Sequence, residues 1–532
     1  MLQHKNHYDV LIVGGGIAGL TAAAYCAKAG YHTLVCERGQ KTGGLVNSFS
    51  SRGYTFDAGI RALEDSGVIS PMLRSLGLSL DLVKNPVSVG IADRSVRLEG
   101  KESLAPYADL FRSFFPEESD AIDAIIAEII KVMRYMDVLY GIENPLFLEN
   151  ELKDPRYLTK TLLPWLMKYS VNIKKASRLS LPVVECLKKF TANEALIDMI
   201  CQHFFQETPT FFALSYFGLY LDYRYPVGGT GALPALLSGY FLSRGGEIWL
   251  QSEVKYVSAG QHIATLADGS EICYRQLIWA ADQTALYHAL GEDLPKPIAA
   301  KKDLAERSHG IDSILTLFIG ADLPPQEAQN ACGPHAFYTP STAGLSSLPD
   351  WRDIPSDDID ALKRWVVSYL ETTTFELSVP VLRDSSLAPQ GKTGFIVSTL
   401  FDYDLTKRFD EAHAYSALKS LAEETILRVL DASILPGLRE KTEFALCSTP
   451  LTIERETGAR HGAITGWAHT NHPMPAVHEF GSIAKATETG IPDVLQCGMW
   501  TFSPAGLPVS IITGKLAADQ TAKRLRKRSK TP

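Results

Sequence analysis

The feature that most constrains this chain is a glycine-rich run near its start, residues 14–19, with the sequence Gly-Gly-Gly-Ile-Ala-Gly. The apolar residues 8–13 precede it and are typical of a buried parallel strand. Residues 20–28 are rich in alanine and predict a helix, and residues 32–37 predict a second strand. This β-α-β order with glycines at the spacing G-x-G-x-x-G predicts a dinucleotide-binding unit.

Each glycine of the motif has a separate task in such a unit. Gly14 permits the tight turn after the strand, and Gly19 lets the helix pack closely on the sheet. Gly16 lacks a side chain, so a pyrophosphate can approach its backbone. The helix that begins at Ile17 and Ala18 presents free N–H groups and the positive end of its dipole to the phosphates.

An acidic residue, Glu37, ends the second strand, where its carboxylate would accept hydrogen bonds from the adenosine ribose. This acidic side chain disfavours a nucleotide that carries a 2′-phosphate on the ribose, although the basic Arg38 lies beside it.

Residues 10–27 carry no charge, so a signal peptide or a membrane helix is an alternative interpretation of this stretch. Three consecutive glycines within it, and Asp9 just before it, argue against that alternative.

The composition indicates a protein with more than one core. A chain of 532 residues is too long for a single ordinary core, so we expect two domains and a helical insertion. The formal net charge of −8 argues against a nucleic-acid partner. The eight cysteines are scattered without a C-x-x-C pair, which predicts reduced thiols, a cytoplasmic location and no zinc or iron–sulfur site.

Three histidines lie close together near the end of the chain, at His469, His472 and His478. No carboxylate is in register with them, so an exposed loop is a better interpretation than a metal site.

A second motif follows the nucleotide unit. Gly43 and Gly44 lie in a loop, and residues 48–59 alternate polar and apolar side chains around Arg52-Gly53, which predicts a hairpin. The pattern E-R-…-G-G-…-G-Y-x-F-D-x-G resembles the amino-terminal signature of a flavoprotein family. That family includes phytoene desaturases, carotenoid isomerases and retinol saturases, which bind FAD at this fold. The chain departs from the family at Thr42, where proline is usual.

The resemblance extends along the chain and implies the fold class. We expect an α/β protein with a Rossmann-like FAD-binding domain of the glutathione-reductase type and a discontinuous α+β substrate domain with a helical insertion. The expected FAD-binding segments are 1–85, 224–290 and 481–532. The expected substrate-domain segments are 86–223, with the insertion, and 291–480. Within the last segment, strands are expected at 314–319, 365–369 and 393–401 and a helix at 412–430.

The resemblance also implies the cofactor contacts. Residues 496–508 resemble the family's second FAD motif, in which the last helix points its start at the pyrimidine end of the flavin. Met499 replaces the acidic residue that many flavoproteins have for the ribityl chain. Together the glycine motif and the resemblance predict these cofactor-binding residues: Gly14, Gly16, Ile17, Ala18, Gly19, Glu37, Arg38, Gly43, Gly44, Leu45, Asp57, Gly59, Val254, Ala280, Ala281, Asp282, Trp500, Gly506, Leu507 and Pro508.

Residues 153–189 differ from the rest of this acidic chain. Nine lysines and arginines outnumber Asp154 and Glu185, and apolar residues lie among them at Leu162, Leu163, Trp165 and Leu166. The stretch either docks on a membrane surface, with these apolar side chains at the interface, or is an ordinary solvated helix face.

The chemistry itself is less determined by the sequence. A flavin carries the redox step, so the protein need only place an apolar chain against it. Arg61 and Glu64 are the candidate catalytic residues, as proton donors, and a surface salt bridge between them is the alternative. The first hypothesis is oxidation, saturation or redox-dependent isomerisation of a long carotenoid-like or isoprenoid-like substrate. An amine-oxidase-like enzyme with a polar substrate and a flavin-binding protein without turnover are the alternatives, and the electron acceptor is left open.

Overall fold

The computed structural model describes residues 6–149, 151–291 and 294–528. The strands are β1 (Asn6–Val13), β2 (Thr33–Cys36), β3 (Ser48–Ser51), β4 (Tyr54–Asp57), β5 (Leu63–Glu64), β6 (Leu82–Lys84), β7 (Val87–Ile91), β8 (Arg94–Leu98), β9 (Tyr223–Pro226), β10 (Glu247–Trp249), β11 (Val254–Ser258), β12 (Ile263–Leu266), β13 (Glu271–Trp279), β14 (Ser313–Ala321), β15 (His335–Thr339), β16 (Phe375–Ser378), β17 (Thr393–Phe401), β18 (Thr442–Ser448) and β19 (Val494–Gln496).

The helices surround these strands on several sides. They are α1 (Ile17–Lys28), α2 (Ile69–Leu76), α3 (Leu104–Arg112), α4 (Ser119–Leu139), α5 (Pro155–Tyr157), α6 (Leu163–Ala176), α7 (Val183–Leu187), α8 (Glu194–Cys201), α9 (Thr210–Asp222), α10 (Ala232–Ser243), α11 (Gln283–Ala289), α12 (Lys296–Arg307), α13 (Pro325–Ala331), α14 (Ile359–Thr372), α15 (Tyr403–Glu411), α16 (Tyr415–Asp431), α17 (Leu438–Lys441), α18 (Pro450–Thr457) and α19 (Leu507–Arg528).

The first sheet contains the predicted β-α-β unit. Its strands run in the order β10-β2-β1-β13, all parallel, and β19 also pairs with β13 in parallel. Strands β12 and β11 extend the sheet with antiparallel pairing. Helices α1, α10 and α19 pack together on one side of it. The apolar run of β1 is therefore buried on both faces, as a parallel central strand requires.

The second sheet is mixed and has the order β18-β14-β17-β16-β15-β7-β8. All neighbours are antiparallel except β15 and β7. Helices α14 and α16 contribute to the large apolar core of this half. The strand predicted at 365–369 is wrong, because these residues lie in α14. Leu362, Val366 and Leu370 are fully buried there at helical spacing.

The predicted helical insertion corresponds to α3–α9. Helices α4 and α9 form its centre, and their apolar faces share a core with the β7–β8 hairpin. Helix α6 packs on the outer side of α4. A small sheet in the order β5-β9-β6 links the insertion to the segments on either side of it. These observations establish the α/β class with a Rossmann-like domain, while the exact segment boundaries stay a prediction.

Candidate functional site

The glycine motif forms an open cradle at the start of α1. A Cβ atom on Gly14 would lie 2.8 Å from the carbonyl oxygen of Ala280, and one on Gly19 would lie 2.0 Å from that of Gly14. At Gly16, by contrast, no described atom lies within 4 Å of the Cβ position. No side chain caps this end of α1, which includes Ile17 and Ala18. The cradle therefore has room and N–H groups for an anionic phosphate.

The second strand ends beside this cradle. Glu37 accepts hydrogen bonds from the N–H groups of Gly15 and Gly39, each at 2.7 Å and each on a different carboxylate oxygen. Each oxygen keeps a further lone pair for another donor. The guanidinium of Arg38 instead donates to the carbonyl of Arg455 at 2.6 Å, near the end of α18. Glu37 thus lies at the cradle, and Arg38 is directed toward another helix.

A second loop closes on the cradle from the opposite side. The N–H of Gly43 donates to the carbonyl of Gly15 at 2.8 Å, and a Cβ atom on Gly44 would lie 3.4 Å from the Cα of Gly16. A Cβ atom on Gly59 would lie 1.8 Å from the carbonyl oxygen of Leu45. The structure therefore brings the predicted residues of these two loops together at the start of α1.

The carboxylate of Asp57 is fully buried and saturated by the protein. One oxygen accepts hydrogen bonds from the hydroxyl of Ser48 and from the N–H and hydroxyl of Thr230. The other accepts from the hydroxyl of Tyr225 at 2.7 Å. Asp57 therefore ties the β3–β4 hairpin to the loop after β9. Thr230 and Tyr225 were not among the site residues predicted from the sequence.

The predicted residues after β13 have different surroundings. Ala280 lies directly over Gly14 and Gly19, and Ala281 follows it. The carboxylate of Asp282 caps α11 through the N–H of Thr284 at 2.7 Å, and its second oxygen accepts from the N–H of Arg460 at 3.1 Å. Val254 is buried on β11 of the same sheet. Asp282 thus has a local structural role in this structure.

The carboxy-terminal segment reaches the cradle through α19. A Cβ atom on Gly514 would lie 2.5 Å from the carbonyl oxygen of Ala18, so α19 crosses α1 very closely. Leu507 and Pro508 form the first turn of α19. Near this start, the nearest atom to a Cβ position on Gly506 is 4.0 Å away.

Trp500, in the segment before α19, is buried. Its carbonyl accepts a hydrogen bond from the indole N–H of Trp467 at 3.0 Å, and the two rings meet edge to face at 4.8 Å.

Arg61 is a buried cation between the end of β4 and the second sheet. It donates to the carbonyl of Asp57 at 2.7 Å, to the carbonyl of Gly59 and to the hydroxyl of Ser398 at 3.0 Å. Its Nε atom has no partner among the described residues. The surface salt bridge with Glu64 is wrong as an alternative, because Arg61 is only 3% exposed and Glu64 lies on a strand.

Glu64 lies on β5, opposite Tyr223 of β9. Burial, and then the negative charge of Asp222, raises the pKa of its carboxyl group to about 7. At neutral pH a large fraction of Glu64 is therefore protonated and able to donate a proton. Burial raises the pKa of the hydroxyls of Tyr216, Tyr220 and Tyr223, and the negative charge of ionised Glu64 raises it further.

A set of side chains that was not predicted as part of the site faces these groups. We call it the aromatic wall, and it consists of His203, Tyr216, Tyr220, Tyr223 and Phe337. Tyr220 lies 5.0 Å from Phe337 and 5.6 Å from Tyr216 between ring centroids, and His203 lies 5.3 Å from Phe337. Glu376 pairs with Phe337 across β15 and β16 and is part of the same surface. The signal in the sequence that points to this set is the aromatic and apolar run at residues 211–221, which contains Tyr216 and Tyr220.

The fold is of the mixed α/β class and contains a Rossmann-like domain with an open cradle at the start of α1. A family model described as an NAD(P)-binding Rossmann-like domain matches residues 12–76, which include the glycine motif, both loops and α2.

Curated relatives extend this match to the full length. The prolycopene isomerase of Daucus carota is 25% identical over 100% of this chain and 82% of its own. The all-trans-retinol 13,14-reductase of Danio rerio is 23% identical over 87% and 78%, and the phytoene desaturase of Fusarium fujikuroi is 22% identical over 97% and 89%. These relatives confirm the resemblance that was predicted from the sequence. They also confirm the prediction that the protein is an oxidoreductase.

Solved structures share the fold at lower identity. An oxidoreductase from Methanosarcina mazei has a TM-score of 0.61 at 13% identity, over 97% of this chain and 99% of its own. A putrescine oxidase has a TM-score of 0.59 at 14% identity, over 98% and 100%. These similarities support the fold class alone.

Among the described residues, no helix is both long and apolar enough to span a bilayer. Across the same residues, no group of three or more metal-ligating side chains is placed to hold an ion.

Proposed function

We propose that this protein binds FAD and uses it for redox chemistry. The observation that carries this proposal is the cradle, in which the Cβ position of Gly16 is open while those of Gly14 and Gly19 are filled. Residues 14–19 would hold the pyrophosphate and Glu37 the ribose. The loops at 43–45 and 57–59 and the start of α19 would hold the flavin half. A bound flavin supplies hydride transfer, and the protein supplies binding and orientation.

An FAD titration tests this proposal directly. The purified protein should retain FAD or bind it stoichiometrically, whereas NAD⁺ and NADP⁺ should not displace it. A protein that binds a nicotinamide dinucleotide and no FAD would overturn the proposal.

We further propose that the substrate is a long apolar polyene. The full-length relatives, named for prolycopene, phytoene and all-trans-retinol, support this class. Holoenzyme incubated with each of these three compounds in detergent should convert at least one of them, as measured by chromatography of the extracted products. Absence of any product with oxidised and with reduced flavin would contradict this substrate class.

One observation favours the amine-oxidase-like alternative. The aromatic wall lies beside the carboxylate of Glu376, and aromatic faces with a nearby anion suit a substrate ammonium group. Putrescine and cyclohexylamine should therefore be included in the same assay. Their oxidation without any polyene conversion would favour the alternative.

We also propose that α6 docks on anionic membranes, where a water-insoluble substrate is available. Its apolar side chains Leu163, Leu166, Met167 and Val171 are 56%, 42%, 69% and 54% exposed and recur at helical spacing. Exposed lysines 168, 174 and 175 lie on the same helix. Trp165 faces inward instead, since its indole N–H donates to the carbonyl of Val138 at 2.7 Å. Exposed apolar and basic side chains together suit a bilayer with anionic headgroups.

Vesicle co-sedimentation tests the docking proposal. Wild-type protein should bind vesicles containing phosphatidylglycerol at low salt and bind pure phosphatidylcholine much less. Since each lysine contributes about 1 kcal/mol and the new glutamates are repelled, K174E with K175E should weaken binding by at least about 30-fold. Met167→Ser should also weaken it, whereas Leu242→Ser, at a 50% exposed position on α10, serves as the control. If the wild type and the three variants sediment equally, or if the wild type sediments with no vesicle at low salt, α6 does not dock on membranes.

A further inference from the structure

A chain of hydrogen bonds leads from Arg383 to the carboxylate of Glu376. Arg383 donates to Oδ1 of Asn85 at 3.1 Å, and Nδ2 of Asn85 lies 3.1 Å from Nδ1 of His335. Nε2 of His335 lies 3.0 Å from Oε1 of Glu376. Because arginine only donates, Asn85 must offer its N–H to His335. His335 Nδ1 then accepts, and its Nε2–H donates to Glu376.

The middle members of this chain of bonds are buried and are held by several partners. Asn85 and His335 are each 1% exposed, and the backbone N–H of Asn85 donates to the carbonyl of Tyr223 at 3.1 Å. Arg383 also donates to the hydroxyl of Ser378 at 2.7 Å, and its guanidinium stacks 3.8 Å from the ring of Tyr225. The orientation of the His335 imidazole is therefore set by hydrogen bonds at both of its ring nitrogens.

Glu376 itself is placed to meet a ligand. In β16 the fully buried Phe375 and Leu377 belong to the apolar core, so Glu376 points to the other side of the sheet. The side chain of Glu376 lies beside the aromatic wall, and 32% of its surface is still accessible. Oε1 is held by His335, and among the described residues Oε2 has no hydrogen-bond partner.

Several charged or titratable groups face Glu376 from separate elements. They are His335 on β15, Arg61 after β4, His203 after α8, Arg383 after β16, and Tyr216, Tyr220 and Tyr223 on α9 and β9. Burial alone raises the pKa of the Glu376 carboxyl group. The hydrogen bond from His335 and the charge of Arg61 outweigh burial, so the pKa lies below its ordinary value. Burial conversely lowers the pKa of His335, which keeps the imidazole neutral.

We propose that Glu376 is a catalytic base whose free oxygen accepts a proton from a substrate carbon, and that His335, Asn85 and Arg383 are its positioning residues. This proposal rests on the proposed function. In a desaturation, one C–H bond breaks and its proton goes to Glu376. The hydrogen of the adjacent C–H bond leaves with its electron pair as hydride to the oxidised flavin, and the C=C bond forms. Saturation is the reverse, with protonated Glu376 as the donor.

The first experiment measures turnover by the holoenzyme with the panel of prolycopene, phytoene and all-trans-retinol. Glu376→Gln should lower kcat by 10²- to 10⁴-fold with KM changed less than about threefold. Glu411→Gln, at an exposed carboxylate on α15, is the matched control and should not change kcat. His335→Phe should move the acidic limb of the pH profile to higher pH, because Glu376 loses the donor that favours its ionised form. His335→Gln, which keeps an N–H donor, should restore part of this shift.

The second experiment is independent of turnover. Infrared difference spectra at pH 7 should show that Glu376→Gln removes an ionised carboxylate band, whereas Glu64→Gln removes part of a protonated carboxyl band. Loss of a protonated band in Glu376→Gln, or an unchanged kcat in that variant, would overturn the proposal. If no compound of the panel is converted, the substrate proposal fails, and the infrared spectra still decide whether Glu376 is ionised.

Discussion

Substitution of Gly16 by valine should separate cofactor binding from folding. The backbone of Gly16 has φ −71° and ψ 176°, which any residue can adopt, and no described atom lies within 4 Å of its Cβ position. The free energy of unfolding should therefore change by less than about 1 kcal/mol. A valine side chain would occupy the space that the pyrophosphate needs. If two charge-assisted hydrogen bonds at about 1.5 kcal/mol each are lost, the Kd for FAD rises at least ~100-fold.

The assay is fluorescence titration of the apoprotein with FAD, with urea unfolding measured in parallel. Gly239→Ala, at an exposed helical position without neighbours, is the control and should bind FAD like the wild type. Gly19→Ala is the structural comparison, since its Cβ would lie 2.0 Å from the carbonyl oxygen of Gly14 and should disrupt folding. Wild-type affinity for FAD in Gly16→Val would refute the placement of the pyrophosphate.

Two further predictions concern carboxylates. Glu37→Ala should weaken FAD binding by about 1–3 kcal/mol because the ribose hydroxyls lose a charged acceptor, and an unchanged Kd in the titration would reject this role. Glu64 has a folded-state pKa of about 7 against an ordinary value of 4.5, so ionisation opposes folding increasingly as the pH rises through this interval. Glu64→Gln should therefore gain stability relative to the wild type between pH 5 and pH 8, by on the order of 1–3 kcal/mol. If the urea midpoint of Glu64→Gln differs from that of the wild type by the same amount at pH 5 and at pH 8, this prediction is contradicted.

The nucleotide unit was predictable because its determinants are local. Gly14, Gly16 and Gly19 lie within six residues, and their spacing specifies the turn, the open cradle and the helix contact together. The strand predicted at 365–369 was wrong for the opposite reason. A short apolar run does not distinguish a strand from a buried helix, and the positions of Leu362 and Leu370 decide in favour of the helix.

The hydrogen-bonded side chains between Arg383 and Glu376 could not be predicted in the same way. His335 and Glu376 are 41 positions apart, and they meet only because β15 and β16 pair in one register. Asp57 illustrates a related difficulty. The motif marks this residue, but its partners Tyr225 and Thr230 are 168 and 173 positions away, and they bind both oxygens of its carboxylate.

The most direct test of the central claim is an anaerobic spectrum of the FAD-loaded protein with a polyene and with an amine. Phytoene should bleach the absorbance of the oxidised flavin if the enzyme desaturates. If it saturates or isomerises, the reduced flavin should convert all-trans-retinol or prolycopene to a product, while putrescine and cyclohexylamine should leave the oxidised spectrum unchanged. Bleaching by the amines alone would contradict the account, and so would a flavin that supports no conversion of any polyene in either redox state.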